Sequence, residues 1–256
     1  MLTLRAGDAV AEVDPDNGGR LTRVAVGDAE LLTAAGSFVM APWAGRTGYG
    51  AFDFEGASYR LPVVERHAPH AIHGPVRDRA WVVEAADPLR VRISCDLGPE
   101  WPWPGWCEQQ LTLAADGLEL AVSVHAGTGA RFPAVTGWHP WFVRPAEVDL
   151  RAHALLEKGD DRLPTGRLIS PPPATGPFDD CFAGVDWPVV MRWASGLRLE
   201  VSAEGCDHVV YFDEPADAVC VEPQTGPPDG LRTGQATVVT PDEPLRAVMR
   251  WAWTAP

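Results

Sequence analysis

The chain has 256 residues, of which 46% are hydrophobic, so it is long enough to bury a substantial core by itself. Its formal net charge of −14, without any cluster of basic residues, excludes a surface built to bind nucleic acid or an anionic membrane. The first residues carry acidic side chains and no long apolar run, so we expect neither a signal peptide nor a membrane anchor.

Five cysteines are widely spaced, and no two of them form a C-x-x-C motif; they are Cys95, Cys107, Cys181, Cys206 and Cys220. An odd number at such spacings is not typical of a disulfide framework or of a zinc knuckle. We therefore predict reduced thiols in a cytoplasmic protein. Monomer and homodimer both remain open.

Short alternating hydrophobic runs between turn residues predict an all-β chain. Glycine and proline number 25 each, which leaves few windows long enough for a helix. The first clear run, AFDFEGASYRLP, predicts a hairpin that turns at Glu55-Gly56. The residues expected to face each other across it are Phe52 and Phe54 on one side and Tyr59 and Leu61 on the other.

Further along the chain, QQLTLAADGLELAVSVHAG predicts two strands joined by a tight turn at Asp116-Gly117. The segment VDLRAHALLEKG fits a short helix and a strand equally well. The proline-rich residues 169–180 predict a surface loop inside one domain, because alternation continues on both sides of them. Further strands are predicted in RVRISCDL, LRLEVSAEG, AVCVEP and LRAVMRWAW. We predict a single domain over residues 1–256, built as a large antiparallel β-sandwich.

The segment TGWHPWF places His139 between aromatic residues and directly before Pro140. A histidine in such surroundings more often packs than reacts. Proline lacks a backbone N–H, however, so we expect the chain to turn or to leave a strand at this point. Loops at the ends of strands often carry functional residues, which makes His139 a candidate acid or base.

The segment AVCVEPQT interrupts an apolar strand with Glu222 and follows it with Pro223. A surface glutamate at the end of a strand is an equally good interpretation. If the side chain is buried, its pKa is raised toward neutrality and it becomes a usable general base. Glu222 and His139 then form an acid–base pair.

Three histidines at a spacing of three residues occur in HAPHAIH, namely His67, His70 and His73. The motif does not predict a metal site, because no HExxH motif or cysteine partner accompanies it. We expect His67 and His70 to lie in a solvated loop. His73 precedes Gly74, whose backbone can approach a ligand closely. The eleven tryptophans, including those of WPWPGW, are numerous enough to wall a carbohydrate groove as well as to fill a core.

Several motifs in a fixed order resemble the aldose 1-epimerase (galactose mutarotase) family. The resemblance extends from about residue 40 to residue 230 and lies in the segments APWAGRTGYGAFDFEGASYRLP, IHGPVRDRAW, TGWHPWF, PFDDCF and VCVEPQTGPPDG. It implies a large antiparallel β-sandwich of the galactose mutarotase type and an enzyme that interconverts sugar anomers. It implies no cofactor, metal, nucleotide or covalent intermediate.

Position by position, the resemblance implies that Glu222 takes the proton of the C1 hydroxyl as general base. It implies that His139 protonates the ring oxygen as general acid, so that the sugar ring opens and closes again on the other carbonyl face. Arg46, His73 and Asp179 match the positions that bind the sugar, and the implied partner is therefore a small-molecule sugar.

Some features depart from the galactose-type pattern and leave the sugar open. GRTGYG is shortened and lacks an asparagine and a second arginine, and a glutamine expected near His208 is missing. Arg77 matches an arginine of short family members, some of which act on hexose 6-phosphates or sulfonated sugars. Two further alternatives are a non-catalytic sugar-binding module and a glycoside hydrolase that uses Asp179 and Glu222 as paired carboxylates.

Overall fold

The computed structural model describes residues 1–254, and the backbone of this range is almost entirely antiparallel β. The strands of the first half are β1 (Leu2–Ala6), β2 (Ala9–Asp14), β3 (Arg20–Val26), β4 (Ala29–Glu30), β5 (Leu32–Met40), β6 (Arg46–Thr47), β7 (Ala51–Phe54), β8 (Ala57–Arg60), β9 (Ala71–Ile72), β10 (Val82–Ala86), β11 (Arg90–Asp96), β12 (Gly105–Ala114) and β13 (Gly117–Ala126).

The strands of the second half are β14 (Phe132–Ala134), β15 (Gly137–Val143), β16 (Glu147–Asp149), β17 (Ala152–Lys158), β18 (Pro164–Ile169), β19 (Asp179–Val185), β20 (Val189–Arg192), β21 (Arg198–Glu204), β22 (His208–Phe212), β23 (Ala218–Gln224), β24 (Thr237–Val239) and β25 (Leu245–Thr254). The helical segments are α1 (Gly230–Thr233) and the 3-10 turns Gly48–Gly50, Glu65–His67 and Val76–Asp78. None of the helices in the described part of the chain has the length and hydrophobicity needed to cross a membrane.

Two large sheets form the body of the fold. One has 11 strands, in the order β1-β2-β3-β5-β15-β23-β22-β19-β17-β18 with β4 paired to β3, and the other has 8, in the order β10-β11-β12-β13-β25-β21-β20-β16. Their facing sides share one hydrophobic core, where the rings of Phe142 and Trp251 lie 4.8 Å apart. These two packed sheets confirm the predicted antiparallel β-sandwich. A sandwich forms because the apolar side of each sheet needs a second sheet to cover it.

The predicted hairpins form, with small differences in register. In the pair β12–β13, Ala114 lies opposite Gly117, so the two-residue turn is Ala115-Asp116, one position earlier than predicted. In the pair β7–β8, Phe52 lies opposite Tyr59 as predicted, and their rings stack at 5.4 Å. The strands expected in RVRISCDL, LRLEVSAEG, AVCVEP and LRAVMRWAW are β11, β21, β23 and β25.

The ambiguous segment VDLRAHALLEKG forms two strands and no helix. Its first part is β16, which pairs with β20 in the 8-stranded sheet, and its second part is β17, which pairs with β18 and β19 in the 11-stranded sheet. The proline-rich segment connects β18 to β19, strands of the same sheet, and its residues 170–177, which are exposed except for the half-buried Pro172, agree with the predicted surface loop.

The strands β15 and β23 lie side by side in the middle of the 11-stranded sheet. Trp138 and Phe142 of β15 point into the core between the sheets, as Val221 does from β23. Since side chains alternate along a strand, His139 and Trp141 of β15 and Glu222 of β23 point to the opposite face. All residues of β23 are buried, so that opposite face is also covered by protein.

Candidate active site

His139 lies inside strand β15, and the prediction that the chain leaves a strand at Pro140 is wrong. Pro140 is paired with Ser37 of β5, and the register between these strands is irregular just after it, between Pro140 and Phe142. An irregular point in the ladder is where a proline fits, because the N–H that it lacks has no regular partner there. The bulge therefore keeps the strand intact around His139.

The register of the central strands brings His139 and Glu222 together. Gly137 lies opposite Gln224 and Trp141 lies opposite Cys220, so the antiparallel ladder sets His139 opposite Glu222 on one face. The Nε2 atom of His139 is 3.3 Å from the Oε1 atom of Glu222. Both residues are buried, with 8% and 2% of their surfaces exposed. The interpretation of Glu222 as a surface glutamate is therefore wrong.

Aromatic rings hold the imidazole of His139 in place. Trp141 stacks on it with ring centroids 5.2 Å apart and an interplanar angle of 9°. Phe38, opposite it on β5, approaches from the other side at 4.9 Å, and His73 meets it edge-on at 5.1 Å. This apolar packing removes water from the imidazole and fixes its orientation toward Glu222.

Burial shifts the pKa values of the two groups in opposite directions. Loss of hydration raises the pKa of Glu222 well above its usual range, with the negative charge of Asp179 adding to the effect and Arg46 opposing it. Loss of hydration, with Arg77 and Arg20 nearby, lowers the pKa of His139 to about 3. The pair thus favours a protonated carboxyl beside a neutral imidazole, with one proton to exchange across 3.3 Å.

We expect the substitution Glu222→Gln to stabilise the protein increasingly as the pH rises. The carboxyl ionises near pH 4.5 in the unfolded chain but keeps its proton to a higher pH in the folded chain. Folding of the wild type therefore weakens as the pH rises above about 4.5, and glutamine does not titrate. Urea unfolding of both proteins between pH 4 and pH 8, with the exposed Glu243→Gln as control, measures the difference. A difference independent of pH would contradict the raised pKa.

Arg46 lies in β6 and His73 directly follows β9, the short strand that pairs with β6 beside the acid–base pair. Arg46 lies opposite Ile72 in the β6–β9 ladder, and the N–H of His73 donates to the carbonyl of Gly45 at 3.0 Å. His73 has a φ of 63°, in the left-handed region, and is 9% exposed. A Cβ at Gly74 would collide with the carbonyl of Ala41, so only glycine allows this close approach.

Asp179 begins strand β19 and stands among three cations. Its Oδ2 atom is 3.6 Å from Arg46, 3.9 Å from Lys158 and 3.9 Å from Arg162. Lys158 also lies 3.1 Å from Asp180. Sequence reasoning missed Lys158 and Arg162 as site residues, although Lys158 is the single lysine of the chain.

These side chains surround a cavity of about 260 Å³. It is lined by His139, Glu222, Arg46, His73 and Asp179, which are five of the six predicted site residues, and by the cations Lys158 and Arg162. Of the two roles left open for the tryptophans, a groove wall is not seen in the described part of the chain, where the aromatic carbon ring on the lining is Phe212. Trp101 and Trp103 pack instead against Phe132.

Arg77 does not line this cavity. Its guanidinium is over the ring of Phe38 at 5.6 Å, its Nε atom is 3.2 Å from Asp78, and its side chain is 8% exposed. It lines a separate surface pocket together with Trp43 and Glu100. Phe38 contacts both the guanidinium of Arg77 and the imidazole of His139, and the charge of Arg77 contributes to the lowered pKa of that imidazole.

The other histidines of HAPHAIH have separate surroundings. His67 is partly exposed at the edge of the cavity, whereas His70 is 4% exposed, so its expected place in a solvated loop is wrong. Its Nδ1 atom accepts from the N–H of Tyr49 at 3.1 Å, and its Nε2 atom donates to the carbonyl of Asp161 at 2.8 Å. Two backbone partners explain why a histidine is buried there.

Potential metal ligands converge at one point of residues 1–254. The group consists of His139, Cys220 and Glu222, whose ligand atoms lie within 4.8 Å of one another. His139 and Glu222 already contact each other, and Cys220 is a fully buried free thiol. Burial raises the pKa of the Cys220 thiol, which opposes formation of the thiolate that a metal requires.

The architecture places the chain among the galactose mutarotase-like β-sandwich proteins. The chain belongs to the aldose 1-epimerase family, because the family model of that description matches residues 1–251. Family membership indicates an isomerase that acts on sugars. The predicted family is thereby confirmed.

Individual relatives are distant in sequence and similar in fold. The uncharacterized protein YihR of Escherichia coli K12 is 29% identical over 107 residues, which are 40% of this chain and 34% of that protein. A crystal structure from Escherichia coli K12, provisionally called an aldose 1-epimerase, matches with a TM-score of 0.89 and 20% identity over 99% of this chain and 98% of that one. The GalM/aldose epimerase homologue of C. elegans matches with a TM-score of 0.85 and 12% identity over 99% and 98%. At these identities the structures establish the fold.

Proposed function

We propose that this protein is a cofactor-independent mutarotase that interconverts the α and β anomers of an aldohexose by opening the ring at C1. The observation that carries the proposal is the contact of 3.3 Å between His139 and Glu222 at the wall of a cavity. Opening a cyclic sugar requires one group to take a proton from the C1 hydroxyl and another to give one to the ring oxygen. Glu222 and His139, which share one proton, can supply the base and the acid of this reaction.

The proton balance of the pair supports a reversible mechanism. Transfer of the carboxyl proton from Glu222 to His139 creates the carboxylate and imidazolium that ring opening uses. Glu222 then takes the C1 hydroxyl proton while His139 protonates the ring oxygen, and the C1–ring oxygen bond breaks to leave an aldehyde. Rotation about C1–C2 and the reverse proton transfers close the ring on the other face, so every proton is returned.

The polar groups around the cavity support recognition of sugar hydroxyls. Asp179 offers carboxylate oxygens as acceptors, and Arg46 offers guanidinium donors 3.6 Å away. His73 is buried beside His139, and loss of hydration lowers its pKa well below its usual value. A neutral imidazole can donate to a developing carbonyl oxygen without adding a second positive charge.

Two alternatives fit these residues less well. A glycoside hydrolase that uses Asp179 and Glu222 leaves His139 without a role, although His139 is the group in contact with Glu222. A non-catalytic binding module has no need of a buried carboxyl and imidazole with shifted pKa values. Polarimetry, or NMR exchange spectroscopy on freshly dissolved α-glucose and α-galactose, tests the proposal. No acceleration of anomer exchange across a panel of free and phosphorylated hexoses would refute it.

We expect a neutral aldohexose to be preferred over its 6-phosphate. The cations of the wall, Arg46, Lys158 and Arg162, are matched in number by the carboxylates of Asp179, Asp180 and Glu214, so the wall has no excess positive charge to bind a phosphate. We expect kcat/KM to be higher for the neutral sugar by about tenfold or more. Asp180→Asn removes one of these charges and should narrow the ratio. An equal or higher kcat/KM for the 6-phosphate would support the anionic substrate instead.

A further inference from the structure

Asp229, in the segment GPPDG, is a fully buried carboxylate outside the wall of the cavity. It is 0% exposed and has a φ of 63°, in the left-handed region. Its Oδ2 atom accepts from Nε of Arg232 at 2.8 Å. Since a buried charge is costly without strong partners, the other contacts of Asp229 indicate what this charge holds in place.

The other contacts of Asp229 lead to the segment that carries Arg46. The backbone N–H of Asp229 donates to the carbonyl of Arg46 at 2.6 Å. The Oδ1 atom of Asp229 accepts from the N–H of Gly48 at 2.8 Å. One residue therefore binds the backbone immediately after the Arg46 side chain at two successive peptide groups.

Apart from Asp229, the segment around Arg46 is held mainly by the short segment of residues 70–73, through the β6–β9 pair and the bonds of Gly45 to His73 and of Tyr49 to His70. Strand β6 has two residues and pairs only with the equally short β9 within residues 1–254. A strand of this length is not stable by itself, because each ladder contact must offset the entropy of ordering the chain. Close packing of Gly45 on Pro228, where an added Cβ would lie 2.9 Å from the Pro228 Cβ, joins the two segments further.

We propose that Asp229 is a positioning residue that sets the place of Arg46 at the wall of the cavity. Arg232 closes the arrangement by binding the carboxylate oxygen that Gly48 does not use. This proposal rests on the proposed function in one respect, namely that Arg46 binds the sugar. It assigns Asp229 no contact with the substrate and no part in proton transfer.

The test substitution is Asp229→Asn, which keeps one oxygen for the Gly48 N–H but turns an amide N–H toward Arg232. We expect KM to rise on the order of tenfold or more, because a charge-assisted hydrogen bond is lost. We expect kcat to change less than about threefold, since His139 and Glu222 lie on other strands. The exposed Asp8→Asn is the matched control and should change neither constant.

A double substitution separates positioning of Arg46 from a general loss of structure. If Asp229 acts through Arg46, Asp229→Asn adds less than about twofold to the KM of Arg46→Met, because the group that it positions is already gone. Effects that multiply, an unchanged KM, or a fall in kcat as large as the rise in KM would overturn the proposal. If Asp229→Asn does not fold, Arg232→Met replaces it in the same cycle, because it removes the cation that fixes the Asp229 carboxylate and so weakens its bond to the Gly48 N–H.

A spectroscopic measurement decides the proposal independently of activity. In ¹⁵N NMR spectra without sugar, Asp229→Asn should shift the Nε signal of Arg46, whereas Asp8→Asn should not. An Arg46 signal that is unchanged in Asp229→Asn would overturn the positioning role even in an active enzyme. A wild-type protein without mutarotase activity would refute the proposed function and leave this measurement valid.

Discussion

Replacement of Glu222 by glutamine is expected to lower kcat for anomer exchange by ~10² to 10⁴, the usual contribution of a general acid or base. Glutamine has nearly the same shape but can neither accept the C1 hydroxyl proton nor pass a proton to His139. KM should change little, because the buried side chain offers the sugar similar hydrogen-bonding atoms. Measurement of kcat and KM by NMR exchange or polarimetry checks both statements.

The exposed Glu243→Gln serves as the matched control for Glu222, because it makes the same chemical change at a side chain that does not line the cavity. It should leave kcat unchanged. A Glu222→Gln protein with near wild-type kcat would show that another group handles the C1 proton. Since the same substitution is expected to stabilise the fold at neutral pH, a loss of activity with increased stability cannot be attributed to unfolding.

Replacement of His139 by asparagine is expected to lower kcat by a similar factor of ~10² to 10⁴. Asparagine keeps a polar side chain at this point of β15 but has no group that protonates the ring oxygen. Because His139 and Glu222 share one proton across 3.3 Å, the double variant His139→Asn with Glu222→Gln should be hardly slower than either single variant.

The control for His139 is His153→Asn, which replaces an exposed histidine that lies 3.5 Å from Asp186. Its kcat should equal that of the wild type. Independent losses that multiply in the double variant would show that His139 and Glu222 do not act as a pair. A His139→Asn protein that retains full turnover would leave packing as the role of His139.

The role of Arg77 shows the limit of motif comparison. Its place beside His73 in IHGPVR predicted a substrate ligand, and five of the six predicted residues do line one cavity. Arg77 instead contacts Phe38 and does not line the cavity, and this position depends on how the Val76–Asp78 turn packs against β5. Lys158 and Arg162 reach the cavity from the β17–β18 hairpin, which no local pattern connects to Glu222.

The sequence by itself determined the alternating strands, the antiparallel class and the family, because side-chain period and ordered motifs are local properties. It also singled out His139 and Glu222, since each interrupts an apolar run with a polar group. Only the tertiary structure decided that the two residues face each other, because the register between β15 and β23 joins segments about 80 residues apart. The tertiary structure also decided that His139 and Glu222 are buried. Their pKa values shift in opposite directions as a result, because loss of hydration depends on all the residues that cover this face of the sheet.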